Sequence, residues 1–191
     1  MKKWLKISLI VIVVAIILMI VLFRMMFDMY RMKSESMMPT FQAEQRVVSY
    51  KFKTSLNNGD LIVYEKDGIK FIKRLIGLPG DKIKFQGPEL YINSQLVEHE
   101  FQSHTTGKSY RLDTVQDIIE DKIPLKKYRE TLPNGESYSI LKSHSSFYGN
   151  VEYAVPAGFV FVLGDNRDNS MDSRHPLIGY IDQDNVRKVL Q

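Results

Sequence analysis

Two short stretches carry side chains able to do chemistry together. Ser34 to Thr40 reads SESMMPT and sets Ser36 shortly after a long apolar run, in a turn stiffened by Pro39. A serine hydroxyl is a weak nucleophile until another group takes its proton. The best candidate for that base is Lys73, in FIKRLIGLPGD. A lysine can act so only if its pKa falls from about 10.4 toward neutrality, which burial among apolar neighbours achieves. Strand alternation sends Lys73 to one face and Arg74 to the other, so an inward lysine fits the pattern. On residue types alone the plainer reading is favoured, an edge lysine in solvent and a serine in an ordinary turn.

A third stretch, Gly164 to Arg174 (GDNRDNSMDSR), packs five acids or amides, two serines and two arginines into eleven residues, ending at His175 and Pro176. A calcium loop would need Gly at its sixth position and Glu at its twelfth. Counting from Asp165 these are Ser170 and Pro176, and from Asp168 they are Ser173 and Gly179. Calcium is therefore not favoured. A dense network of arginines and carboxylates fits a rigid support for an active site, because buried charges must be paired.

These groups need a scaffold to bring them together. At 191 residues and 44% hydrophobic, the chain can bury one core of about 150 residues plus an anchor. Ile7 to Phe23 is 17 residues without a charge, preceded by Lys2, Lys3, Trp4 and Lys6 and followed by Arg24. That run predicts a membrane-spanning anchor over residues 7–27 with a cytoplasmic tail at 1–6, since it exceeds a signal-peptide core and no small-residue cleavage site follows. Met25 to Met32 suits a segment in the headgroup region, or a plain exit from the helix. Residues 1–33 carry six Lys and Arg against one Asp, which leaves 20 basic and 21 acidic residues in 34–191 and no electrostatic footprint for nucleic acid. The absence of cysteine removes disulfides and thiol chemistry.

From Val47 onward, short β-rich runs alternate with Gly, Pro and Asn turns, which predicts an all-β barrel or sandwich. RVVSYKF and LIVYE flank an NNGD turn; KDG and GLPGD punctuate further strands; LYINSQLV reads as a hairpin with Asn93 and Ser94 at its tip. YAVPAGFVFVLG reads as a strand pair broken at Pro156. Residues 28–98 and 151–191 thus form the β core. Between them, 99–150 reads as a less regular inserted cap, with a short helix possible over Val115 to Asp121 and loops at PNGES and SSFYGN.

The chain resembles bacterial type I signal peptidases, the membrane-bound serine-lysine proteases that release exported proteins. Their pattern of SMxPT, GDxxxY, KRxxGxPGD and GDNxxxSxDSR is met in order by SMMPT at 36–40, GDLIVY at 59–64, KRLIGLPGD at 73–81 and GDNRDNSMDSR at 164–174. Residues 99–150 lie outside the resemblance. It implies Ser36 as nucleophile and Lys73 as general base, Ser34 as a hydroxyl helping the Ser36 amide form an oxyanion hole, and Ser170 as a group that orients the lysine amine. Arg74, Asp165, Asp172 and Arg174 match a charged scaffold, and Met37 and Ile72 match the lining of pockets for alanine side chains. Phe41 stands where leucine is usual. Implied partners are exported preproteins and membrane lipid, with the catalytic domain outside the cytoplasm; no metal or cofactor is implied. A Ser-His-Asp triad would draw on His99, His104, His144 or His175, of which only His175 neighbours a motif. Two other classes share parts of this pattern: a non-catalytic factor in surface-fibre assembly, opposed by the presence of both Ser36 and Lys73, and a self-cleaving serine-lysine regulator, opposed by the anchor.

Overall fold

The computed structural model describes residues 2–50, 55–111, 118–143 and 148–190. Helix α1 (Lys2–Met26) is 25 residues long, about 37 Å at 1.5 Å per residue, against a hydrocarbon core of about 30 Å. Among the described residues its apolar side chains are exposed, Phe23 stacking on Phe27 with ring centroids 4.7 Å apart, and Lys6–Met26 is long and apolar enough to cross a membrane. The helix runs directly into strand β1 (Phe27–Arg31), which pairs antiparallel with β2 (Arg46–Tyr50) from Phe27 opposite Tyr50 to Arg31 opposite Arg46. The exit from the helix is therefore a strand whose backbone donors are met by β2, with Met29 and Val48 exposed side by side.

The loop between β1 and β2 carries SESMMPT. Met32 N–H donates to Gln45 O at 2.9 Å and Glu44 N–H to Met32 O at 2.7 Å, closing the loop at its base. Next come β3 (Leu61–Lys66) and β4 (Ile69–Gly77), a hairpin whose two-residue turn puts Asp67 and Gly68 at positive φ. Strands β5 (Lys82–Gln86), β6 (Glu89–Ile92) and β7 (Gln95–Leu96) follow, with Asn93 and Ser94 at the tip between β6 and β7 as the turn chemistry predicts.

The region expected to be a less regular cap is instead a regular three-stranded antiparallel sheet of β8 (Glu98–Arg111), β9 (Ile118–Thr131) and β10 (Ser137–Ser143). Ile118 to Asp121, expected in a helix, lies in β9, because the polar strand finds its ladder partner in β8. Val115 to Asp117 fall outside the described residues, as do Ser145 to Phe147 of the expected SSFYGN loop. Pro133 to Glu136 form the turn read from PNGES.

Strands β11 (Asn150–Ala154), β12 (Phe159–Leu163), β13 (Ile181–Asp182) and β14 (Val186–Leu190) complete the chain. The apolar strands around Pro156 do not pair with each other: β11 joins β5, and β12 joins β4 and β13. Proline lacks a ladder donor, so it sits where the chain changes sheet. Likewise β2 pairs with β1 and not with β3.

The five-stranded sheet, in order β13-β12-β4-β3-β14, is buried on both faces. Ile62, Tyr64, Leu75, Val160 and Val162 pack on one side with Ile178, Ile181 and Val186. Ile76, Phe161 and Leu163 pack on the other against Ile83, Phe85 and Ile92 of the β5-β6 sheet. This explains the unbroken apolar run of β12 (FVFVL), since a strand covered on two faces gains nothing from polar alternation, and it makes the buried Lys73 and Arg74 of β4 stand out.

Candidate active site

Lys73 sits in mid-β4, opposite Ile62 on β3 and one pleat from Leu75. Both faces of its sheet are covered, so an inward lysine here has no route to solvent, and Lys73 is 3% exposed. Burial lowers its pKa to about 8, against the opposing pull of the Asp172 and Asp165 charges. At pH 7 roughly a tenth of the amine is then neutral and able to accept a proton.

Ser36 is brought to this amine by the side chain that follows it. Met37 is fully buried in a cluster with Met32, Val47, Val63 and Ile72, with Phe41 packed at its edge, and so plugs the loop onto the face of β3 and β4. Met38 N–H to Glu35 O (3.0 Å) and Phe41 N–H to Met37 O (2.9 Å) shape the turn. Ser36, 7% exposed, then presents Oγ at 2.6 Å from Lys73 Nζ and 3.0 Å from Ser34 Oγ. A buried hydroxyl against an amine of lowered pKa is the arrangement that activates an oxygen nucleophile.

Arg74, on the opposite face of β4, makes a bidentate pair with Asp165: Nε to Oδ1 at 2.8 Å and Nη2 to Oδ2 at 2.7 Å. Its Nη1 reaches Gly59 O at 2.8 Å, its guanidinium lies 3.7 Å from the Tyr138 ring centroid, and Thr40 Oγ1 donates to Asp165 Oδ2. Arg174 pairs with Asp172 through Nε to Oδ1 and Nη2 to Oδ2, both 2.8 Å, and Asp172 Oδ2 also accepts from Gly164 N–H at 2.9 Å. Burial alone would raise the Asp172 carboxyl; the Arg174 charge and these hydrogen bonds outweigh it and hold the pKa below the usual range. Arg74 and Asp165, and Arg174 and Asp172, thus each hold a fixed counter-charge, as an interior ion requires.

Every residue expected at the site is gathered around β4 and the Gly164–Arg174 loop, with one difference in detail. Ser170 is buried beside Gly164, but its Oγ makes no hydrogen bond, so the expected bond to the Lys73 amine is not formed in this structure. The histidines lie elsewhere: His99 Nε2 is 2.7 Å from Glu130 Oε2, His175 Nδ1 accepts from Leu177 N–H at 3.2 Å, and the His104 ring lies tilted against Phe101, centroids 5.0 Å apart. His144 falls outside the described residues. Sequence reasoning missed Thr40, Gly164, Asn166 and Arg167, although all four stand inside the matched motifs, and it missed Glu130, which stands outside them.

The pattern of the family described as signal peptidase, peptidase S26, matches residues 1–189. The chain belongs to the signal peptidase S26 family. Signal peptidase I U of Bacillus subtilis (strain 168) is 32% identical over 183 residues, 92% of this chain and 81% of that protein. Signal peptidase I of Rickettsia rickettsii (strain Sheila Smith) is 38% identical over 129 residues, 62% of this chain and 44% of that protein. The chain thus spans most of one S26 relative and less than half of the other. A crystal structure of a signal peptidase I from Enterococcus faecalis is 24% identical, with a TM-score of 0.42, over 73% of this chain and 100% of that one.

Proposed function

We propose that this S26 family member is a membrane-anchored endopeptidase that cuts signal peptides from exported preproteins with a Ser36–Lys73 dyad. The observation that carries this reading is the 2.6 Å contact between Ser36 Oγ and a buried lysine amine whose pKa lies near 8. Neutral Lys73 takes the hydroxyl proton as Ser36 attacks the scissile carbonyl, then yields it to the leaving amine. The Ser36 amide and the Ser34 hydroxyl face the negative charge on the carbonyl oxygen. Water, deprotonated by Lys73, releases the acyl group and restores the serine.

The substrate reading follows from the surroundings. The resemblance implies that Met37 and Ile72 line pockets for small side chains; in this structure both are buried in one apolar cluster beside the dyad, Met37 completely, so they back such pockets from within, and the preprotein binds extended as an added strand. Helix α1 serves as anchor with the short basic tail in the cytoplasm, so that Ser36 works close to the outer lipid surface.

Incubation of the purified full chain in detergent with a preprotein, followed by N-terminal sequencing of the product, tests the reading. Cleavage after a small residue is expected, abolished in Ser36→Ala and Lys73→Ala. Full cleavage by Lys73→Ala would refute the dyad.

A further inference from the structure

A buried hydrogen-bonded path connects the β8-β9-β10 sheet to the backbone of Ser36. It starts at Glu130 of β9, which is fully buried. Both carboxylate oxygens are occupied: Arg167 Nη1 donates to Oε2 at 2.7 Å and Arg167 Nη2 to Oε1, His99 Nε2 lies 2.7 Å from Oε2, and Tyr138 OH donates to Oε1 at 2.5 Å. Burial alone would raise the carboxyl pKa, but the Arg167 charge and the His99 hydrogen bond outweigh it and keep Glu130 ionised.

Arg167 passes the constraint on. Its Nε donates to Gly164 O at 3.1 Å and its N–H to Leu141 O at 3.0 Å, while Leu141 N–H donates to Asp165 O at 2.8 Å. The next link is Asn166, whose N–H donates to Ser36 O at 3.1 Å and whose Nδ2 donates to Glu35 O at 3.3 Å. Here the loop between Gly164 and Arg167, clamped to β9 and β10, grips the backbone of the nucleophile.

We propose that Glu130 and Arg167 are positioning residues for the reaction: their ion pair fixes this loop, which through Asn166 holds the Ser36 backbone where Oγ meets the Lys73 amine. The proposal rests on the reading of Ser36 and Lys73 as nucleophile and base. It gives the 98–143 sheet a part in catalysis without any contact to the reacting atoms. A brace that served the fold alone would change the folded fraction and leave turnover per folded molecule as it was.

The test uses the full chain in detergent micelles and a peptide spanning a signal-peptide cleavage site, with the folded fraction measured by resistance to an added protease. Glu130→Gln keeps the side-chain shape and removes the charge. It should lower kcat per folded molecule about 10- to 100-fold with KM changed less than about twofold, because small misplacements of reacting groups cost that much. Glu130→Asp, which keeps the charge, should lose less. An unchanged kcat per folded molecule, or a loss confined to KM, overturns the proposal. Where Glu130→Gln yields no folded protein, Arg167→Lys decides: it keeps the positive charge but loses the two-pronged pairing with Glu130 and the Nε bond to Gly164 O, and kcat per folded molecule should fall about threefold or more. Unchanged kcat in Arg167→Lys overturns the proposal. Ser36→Ala and Lys73→Ala run alongside: if either is active, the dyad and this proposal fall together, and if both are inactive while Glu130→Gln is unimpaired, only the positioning role falls.

Discussion

Lys73 and Ser36 touch at 2.6 Å although one is the centre of a two-faced strand and the other sits in a loop held down by Met37. The strand supplies the desolvation that lowers the amine pKa to about 8, and the loop supplies the oxygen. Activity then depends on the neutral amine, which becomes more abundant as pH rises. We expect kcat/KM for a signal-peptide substrate to rise about tenfold per pH unit below pH 7 and to level off above about pH 8. A profile that falls as pH rises from 6 to 8 would show that Lys73 is not the base.

The Ser34 hydroxyl lies 3.0 Å from the nucleophile oxygen. If it turns to the oxyanion during attack, Ser34→Ala should lower kcat about 100- to 1,000-fold, with substrate affinity nearly unchanged. Steady-state kinetics on a cleavable peptide would separate the two, and a loss confined to KM would remove Ser34 from the oxyanion site.

Parts of this arrangement were legible in the sequence for identifiable reasons. The long apolar helix showed because 17 consecutive uncharged residues leave no polar face, and the β3-β4 and β6-β7 hairpins showed because KDG and Asn93-Ser94 supply the positive φ values their turns need. The four motifs led to Ser36, Lys73 and the charged loop. The β8-β9-β10 sheet was hidden because strands such as IIEDKIPLKKYRET carry polar residues on both faces, which blurs the period-two pattern. Glu130 was hidden for the same reason: within that strand it looks solvated, and only the approach of Arg167 from 37 residues away makes it a buried ion.

Gly164 is needed for space, not for backbone freedom. A Cβ there would lie 2.1 Å from Ser170 Oγ, 2.4 Å from Ser170 Cβ and 2.6 Å from Ser36 O. Because one of those neighbours is the nucleophile's own backbone, Gly164→Ala should cost at least about 10-fold in kcat as well as stability. Adding Ser170→Gly removes two of the three clashes, so the double variant should recover part of the stability but not full kcat. Thermal midpoints and turnover of the two variants check this. Full activity in Gly164→Ala would mean that the loop yields freely at Ser36.

Lys73 itself should weaken the fold it serves. Its pKa falls from 10.5 to about 8 on burial, so the folded chain binds this proton less readily than the unfolded chain. The sign follows from linkage: the penalty is full below about pH 8 and fades as pH rises toward 10.5, where the unfolded lysine also loses its proton. At 1.36 kcal/mol per pKa unit, the penalty at pH 7 is on the order of 3 kcal/mol. Lys73→Met fills a similar volume without a charge and leaves Asp172 and Asp165 paired with Arg174 and Arg74. The variant should therefore be inactive yet more stable, by about 1 to 3 kcal/mol at pH 7, with the gain shrinking by pH 10. Denaturant midpoints of the two proteins at both pH values measure it, and a Met variant less stable than the parent at pH 7 would show that the amine contributes net stability to the folded chain.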